Sequence, residues 1–125
     1  MATIKSYTDR EQSRKLAEIL PVESADMTWE QVTKNLTEDF KWKPTIGLDV
    51  AIKDNLFSYR NGYVLPCWSL AALLSVLPRI HHLKPILDLE ECSIQYSGID
   101  IYITASNPID ACYEMILKLH ELNLL

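Results

Sequence analysis

One stretch in the middle of the chain decides how the remaining residues are interpreted, and it reads Leu65-Pro66-Cys67-Trp68-Ser69-Leu70-Ala71-Ala72-Leu73-Leu74-Ser75-Val76-Leu77-Pro78. The stretch carries no charged side chain, and a proline stands near its start and another at its end. Because proline pushes the preceding residue out of the helical region, Pro78 marks a stop. The pattern predicts a short, largely buried helix over residues 68–77, entered through a Pro-Cys-Trp turn. We interpret it as the central packing element.

The composition of the 125-residue chain is typical of one globular domain. Apolar residues make up 48% and charged residues 23%, which suffices for a single core. The net charge of −5 comes without a cluster of Lys and Arg, so the chain lacks the basic face that binding to a phosphate backbone requires. We therefore expect one domain over residues 1–125 and no nucleic-acid partner.

Export, membrane and metal signals are missing from the sequence. Met1 leads into a polar region rather than into a signal peptide. The longest uncharged run, residues 62–78, is shorter than a membrane-spanning helix and is interrupted by Pro66. The cysteines at positions 67, 92 and 112 match no zinc or redox spacing and are typical of reduced thiols. We expect a cytoplasmic protein with no membrane contact, no metal and no cofactor.

Two capping-box patterns predict helices in the amino-terminal third. In the first, Thr8 and Glu11 can satisfy each other's backbone N–H groups, and the helix that follows should stop before Pro21. The second, Thr28-Trp29-Glu30-Gln31, precedes apolar residues at helical spacing. It predicts a second helix from residue 29 to about residue 40.

Alternating apolar and polar residues between turn signals predict strands in much of the remaining chain. Asn61-Gly62 fits a type I′ turn, and Ser97-Gly98 connects the clearest hairpin, whose isoleucines at 99, 101 and 103 should face the core. The predicted strands cover residues 46–53, 56–60, 63–65, 86–89, 92–96 and 99–104.

The last helix carries the strongest markers, with Asn107 as the N-cap and Pro108 at the first helical position. One of its sides is apolar, formed by Ile109, Cys112, Met115, Ile116, Leu119 and Leu122. Hairpins that are segregated from helices predict an α+β fold. We expect a single antiparallel sheet of four or five strands, packed against the central and carboxy-terminal helices, with the amino-terminal helices beside it.

Cys67 is the strongest candidate for chemistry, because a thiolate just before a helix is favoured by the helix N-terminus. Its neighbours Pro66 and Trp68 favour burial instead, and burial raises the pKa of a thiol. No partner histidine can be assigned from the sequence. The packing role is the simpler explanation, and the sequence assigns no catalytic residue.

Asp26, Trp42 and Trp68 complete the candidate binding residues with Cys67. Asp26 is a carboxylate outside the predicted helix surfaces. It is interpreted either as a ligand-binding residue or as a charge that only increases solubility. Trp42 stands between two lysines and before a proline, which favours partial exposure and contact with a partner. Trp68 lies at the start of the predicted central helix. Its two interpretations are binding to a ligand or partner and packing in the core. The adjacent histidines at 81 and 82 are better explained as exposed residues than as metal ligands.

Three segments of the chain resemble one family. They are Glu23-Ser24-Ala25-Asp26-Met27, the central run from Pro66 to Leu74 with Leu77-Pro78, and Asn107-Pro108-Ile109-Asp110-Ala111-Cys112-Tyr113-Glu114-Met115-Ile116. The family comprises small uncharacterised proteins from the genomes, prophages and other mobile elements of Bacteroides-type gut bacteria. The resemblance implies a bacterial or phage origin and assigns no activity and no catalytic residue.

Two classes of function follow from these observations. The first is a non-enzymatic module that binds another protein or a second copy of itself, for example as a phage or mobile-element accessory protein. The second is a small enzyme or ligand-binding protein with a pocket near Cys67 and Asp26. Whether the protein is an enzyme stays undecided by the sequence, and the exposure and reactivity of the Cys67 thiol discriminate between the two classes.

Overall fold

The computed structural model of the protein describes residues 5–32, 41–47 and 64–125. Their elements follow in the order α1 (Arg10–Ile19), a 3₁₀ turn (Val22–Ser24), β1 (Met27–Val32), β2 (Lys41–Ile46), β3 (Val64–Cys67), α2 (Leu70–Val76), β4 (Pro85–Asp88), β5 (Ser93–Tyr96), β6 (Ile101–Thr104) and α3 (Pro108–Glu121). The chain divides into two compact units. The first unit is Asp9–Ser69, and the second unit combines Met1–Thr8 with Leu70–Leu125. The single domain over residues 1–125 stays a prediction.

The α+β class is confirmed, but the strands belong to two sheets rather than one. The first unit holds an antiparallel sheet in the order β2-β1-β3, and the second unit holds another in the order β4-β5-β6. The prediction of a single sheet with four or five strands is therefore wrong, since the described residues alone contain six strands. Local periodicity identifies strands, whereas the choice of partner depends on long-range packing.

Helix α1 occupies the predicted place and is capped one residue later than predicted. The side chain of Asp9 accepts a hydrogen bond from the backbone N–H of Gln12 at 2.8 Å, and the Gln12 side chain accepts one from the backbone N–H of Asp9 at 3.1 Å. This is a complete capping box. Thr8, the predicted cap, is instead fully buried. The helix ends at Ile19, before Pro21, as predicted.

The second predicted helix is wrong where the structure describes it, because Met27–Val32 is strand β1. This strand is central in its sheet, paired with β2 on one side and with β3 on the other. The β-branched and aromatic residues Thr28, Trp29 and Val32 favour a strand, and pairing on both sides outweighs the local capping pattern. The rest of that prediction, residues 33–40, lies outside the described residues.

Among the described residues, the two edge strands of the first sheet each contain a proline. Pro44 lies in β2 and Pro66 lies in β3, and edge strands tolerate the missing N–H of proline. The predicted Pro-Cys-Trp turn is therefore wrong, because Pro66 and Cys67 continue β3. Only Trp68 and Ser69 separate this strand from α2, which begins at Leu70.

The strand predicted for residues 46–53 can be compared with the structure only at its first two residues. Ile46 ends β2, and residues 48–53 lie outside the described residues. The predicted strand at 56–60 and the Asn61-Gly62 turn also lie outside them. The predicted strand at 63–65 corresponds to β3, whose described part begins at Val64.

The second unit contains the predicted hairpin and the predicted short strand. Strands β5 and β6 are antiparallel, with Gly98 at a φ of +85° in the turn between them. Ile101 is buried and Ile103 is half-buried, whereas Tyr102 between them is exposed, so one face of β6 lies against the core as predicted. Strand β4 pairs with the other side of β5.

Helix α3 is the main packing element of the second unit. The side chain of Asn107 caps it by accepting from the backbone N–H of Asp110 at 2.8 Å, and Pro108 opens it, both as predicted. Five of the six predicted apolar residues are fully buried, while Leu122 at the end is exposed. The helix packs on β5, β6 and α2. Each helix within residues 5–32, 41–47 and 64–125 is too short or too polar to traverse a bilayer.

Candidate functional site

Asp26 lies in the link before β1 and is bound to Ser69. One carboxylate oxygen, Oδ1, accepts a hydrogen bond from the Ser69 backbone N–H at 2.9 Å, and Oδ2 accepts one from the Ser69 hydroxyl. Hydrogen bonds to an ionised acceptor are among the stronger ones in proteins. Asp26 is exposed, yet both of its carboxylate oxygens are hydrogen-bonded to Ser69. These bonds connect residues 26 and 69 within the first unit.

Trp68 is fully buried beside this contact. Its indole Nε1 donates a hydrogen bond to the Ser24 hydroxyl at 3.0 Å, and that hydroxyl donates in turn to the carbonyl oxygen of Pro21 at 2.6 Å. A buried indole N–H requires such a partner. The structure thus places Trp68 in the core of the first unit, where it holds the 3₁₀ turn against the end of β3.

Cys67 is also fully buried, in β3 opposite Met27. All three cysteines of the chain lie among the described residues, and each is a buried thiol outside any disulfide. Burial raises the pKa of the Cys112 thiol to about 12. The thiolate is the reactive form of cysteine, so this shift disfavours a nucleophilic role for Cys112, and the burial of Cys67 and Cys92 is typical of packing.

The native thiols should resist alkylation between pH 7 and pH 9. With a pKa of about 12, the thiolate fraction of Cys112 at pH 9 is on the order of one in a thousand. Timed labelling with iodoacetamide followed by peptide mass mapping measures this for each cysteine, and urea-unfolded protein provides the rate for accessible thiols. Fast labelling of Cys67 in the folded protein, with a midpoint below pH 8, would contradict its packing role.

Trp42 does not lie beside the other candidate binding residues. It is in β2 opposite Gln31, whereas Cys67 pairs with Met27, four positions away along β1. Four strand residues span about 13 Å. The side chain of Trp42 lies outside the described part of the structure, so its exposure stays a prediction. The structure brings Asp26, Cys67 and Trp68 to one end of the first sheet, and only Asp26 of these three reaches the surface.

A pocket that the sequence did not reveal lies in the second unit. It encloses about 270 Å³ and is lined by Leu74, Leu77, Pro85 and two exposed cations, Arg79 and Lys84. We call these five residues the basic pocket. Among the described residues, neither cation has an ion pair or a side-chain hydrogen bond. In the sequence, Arg79 and Lys84 flank the two histidines, and nothing in this short basic segment predicts a pocket.

A tight turn places the two cations at this pocket. Ile80 and Leu83 exchange two backbone hydrogen bonds of 3.0 and 2.9 Å, which makes His81 and His82 the central pair of a two-residue turn. Both histidines have a positive φ, of 51° and 68°, as in a type I′ turn. Arg79 and Lys84 are the next residues outward, so the turn brings them to the same rim.

The second sheet presents a row of exposed side chains on the side away from its buried residues. Ile86 pairs with Gln95, and Gln95 pairs with Tyr102 on the next strand, so the three share one face. Ile86 is 51% exposed and Tyr102 is 53% exposed, and Gln95 between them is exposed as well. We call these three residues the outward face.

An acidic turn connects β4 to β5. One oxygen of Asp88 accepts hydrogen bonds from the backbone N–H groups of Glu90 and Glu91, at 2.9 and 3.0 Å. Leu89 at its tip is 63% exposed, and the turn carries the carboxylates of Glu90 and Glu91 beside it. We call residues 88–91 the acidic turn.

Metal-binding geometry and similarity to known proteins add no further site. In the part of the chain that the structure describes, no three His, Cys, Asp or Glu side chains gather where they could hold a metal ion. The chain matches no protein-family model, no curated protein and no solved structure. The resemblance of its three motifs to a family from Bacteroides-type bacteria stays a prediction.

Proposed function

We propose that the protein is a non-enzymatic module that binds other protein molecules through the second unit. The observation that carries this proposal is the outward face, where two large apolar side chains, Ile86 and Tyr102, are each more than half exposed. Contiguous exposed apolar residues on a small protein mark contact surfaces more often than scattered single ones do.

The surroundings of the outward face support the same function. Cross-strand neighbours have Cβ atoms about 4.5–5.5 Å apart, so Ile86, Gln95 and Tyr102 form a continuous row across three strands. Leu89, in the turn that follows β4, is a further exposed apolar residue. Apolar residues with one polar partner among them resemble the centre of a protein interface, in which aromatic side chains are enriched.

The candidate residues of the first unit support an enzymatic alternative less well. The Cys67 thiol is fully buried, and both Asp26 carboxylate oxygens accept hydrogen bonds from Ser69. A nucleophile must reach its substrate, which the fully buried Cys67 thiol cannot do, and the Asp26 carboxylate already links residue 26 to Ser69. Binding through the outward face is therefore the function that the described geometry favours.

Site-specific photo-crosslinking tests the proposal. We expect p-benzoylphenylalanine at position 102 to form a discrete protein adduct when the full chain is expressed and irradiated in bacterial cells. The matched control places the same residue at position 114, an exposed site on α3. Adducts at position 102 that are no stronger than at position 114 would overturn the assignment of the outward face, and an adduct that Ile86→Lys removes would support it.

A further inference from the structure

The two cations of the basic pocket carry the charge on which its occupant depends. Arg79 and Lys84 line the same pocket, and neither has an ion pair or a side-chain hydrogen bond among the described residues. Like charges held opposite each other across paired strands repel. The turn at His81 and His82 brings the two cations to one rim at the expense of two left-handed residues. Such a rim favours an anionic occupant.

The size and lining of the basic pocket restrict what this occupant is. Its volume of about 270 Å³ lies below the range of about 300–1,000 Å³ that is usual for small-molecule sites. Besides the two cations, its lining consists of Leu74, Leu77 and Pro85, which suit an apolar side chain. The pocket therefore fits one apolar anchor residue with carboxylates next to it.

The acidic turn of the same chain has this composition. Leu89 is 63% exposed, and Glu90 and Glu91 follow it with no ion pair among the described residues. The exposure of Leu89 shows that it does not occupy the pocket of its own chain. A second copy can supply the same turn in an orientation that the first copy cannot.

We infer that the acidic turn of one molecule docks into the basic pocket of a second molecule, with Leu89 as the anchor. Arg79 and Lys84 of the receiving molecule contact Glu90 and Glu91 of the docking molecule. This inference rests on the proposed function and names a second copy of the chain as a partner. Because the pocket and the turn are different surfaces, two copies related by a two-fold axis can exchange turns, and any other arrangement leaves one pocket and one turn open to further copies.

The contact is weak and depends on salt. One anchor side chain with an exposed ionic rim corresponds to a Kd on the order of 0.1–1 mM. Raising the salt from 50 to 500 mM screens the charge pairs and weakens the association.

Complementary charge inversions test the contact by sedimentation velocity up to about 1 mM protein, where a contact of this strength becomes populated. We expect the pocket variant Arg79→Glu/Lys84→Glu and the turn variant Glu90→Lys/Glu91→Lys each to weaken self-association at least tenfold. The matched control, Lys118→Glu on exposed α3, should change it less than twofold. Circular dichroism verifies that each variant is folded.

A variant that carries all four inversions provides the strongest evidence, because it restores the charge match. Its self-association should return to within about threefold of that of the original chain. The inference is overturned if the pocket and turn variants behave like Lys118→Glu, if the fourfold variant stays dissociated, or if the original chain is monomeric throughout.

The outcomes also separate this inference from the proposed function. A crosslinked adduct at position 102 together with a strictly monomeric chain refutes the self-contact and leaves the interaction function standing. Self-association that responds to the four inversions without an adduct at position 102 supports the pocket contact and refutes the outward face. A monomeric chain without an adduct refutes both.

Discussion

Replacing Trp68 with alanine should lower the free energy of unfolding by about 3–5 kcal/mol, the usual cost of deleting a fully buried aromatic side chain. The indole fills the core of the first unit and donates to the Ser24 hydroxyl at 3.0 Å. Its removal leaves a cavity and releases the 3₁₀ turn from the end of β3. Urea denaturation followed by circular dichroism measures the loss.

The variant Trp68→Phe separates the two contributions of this side chain. Phenylalanine retains most of the apolar volume but has no N–H, so we expect a loss of about 1–2 kcal/mol. Comparing Trp68→Ala with Trp68→Phe thus distinguishes packing from the hydrogen bond. A loss below about 1 kcal/mol for Trp68→Ala would contradict its placement in the core.

Replacing Leu119 with alanine should lower the free energy of unfolding by about 2–5 kcal/mol, because its side chain is fully buried on the packed side of α3. This helix packs on β5, β6 and α2, so a cavity at Leu119 affects the second unit. Urea denaturation followed by circular dichroism measures this change as well.

The same helix supplies a matched control for Leu119→Ala. Leu122 lies three residues further along and is 43% exposed, and Leu122→Ala removes the same atoms. We expect that variant to cost less than about 1 kcal/mol, since its side chain is already in contact with water. Equal losses in both variants would show that the buried side of α3 is assigned incorrectly.

The hairpin of β5 and β6 and the helix α3 could be predicted from the sequence because their signals are local. Asn107 and Pro108 mark the start of α3 by their own chemistry, and Ser97-Gly98 marks the turn between β5 and β6. The partners that confirm these signals lie within a few residues, as in the hydrogen bond from the Asp110 backbone N–H to Asn107. At these positions the structure predicted from neighbouring residues is the structure that forms.

Strand β1 could not be predicted in the same way. Thr28 and Gln31 match a capping pattern, yet the strand pairs with Val64–Cys67, nearly forty residues later in the chain. Pairing with β2 and β3 satisfies its backbone hydrogen bonds from both sides, and no pattern within residues 27–32 encodes this. Pairing with strands that are distant in the chain therefore makes residues 27–32 a strand rather than a helix.

The candidate site was predicted only in part, for a related reason. Asp26, Cys67 and Trp68 do lie at one end of a sheet. However, Cys67 and Trp68 are buried, and the Asp26 carboxylate and the Trp68 indole N–H are hydrogen-bonded to neighbouring residues. The basic pocket was missed because the turn that forms it has histidines where Asn-Gly is usual. The conformation of that turn depends on the backbone pairing of Ile80 with Leu83.

The short edges of the second sheet limit the ways in which copies of this protein can aggregate. Strands β4 and β6 are its edges among the described residues, and each is four residues long. A long unpaired edge can recruit further strands and grow into fibrils, whereas a short edge offers few backbone groups to an incoming chain. Pro85 removes one N–H group from β4 altogether. The sheet can therefore expose Ile86 and Tyr102 on its face, while its edges offer few unpaired backbone groups for amyloid-like growth.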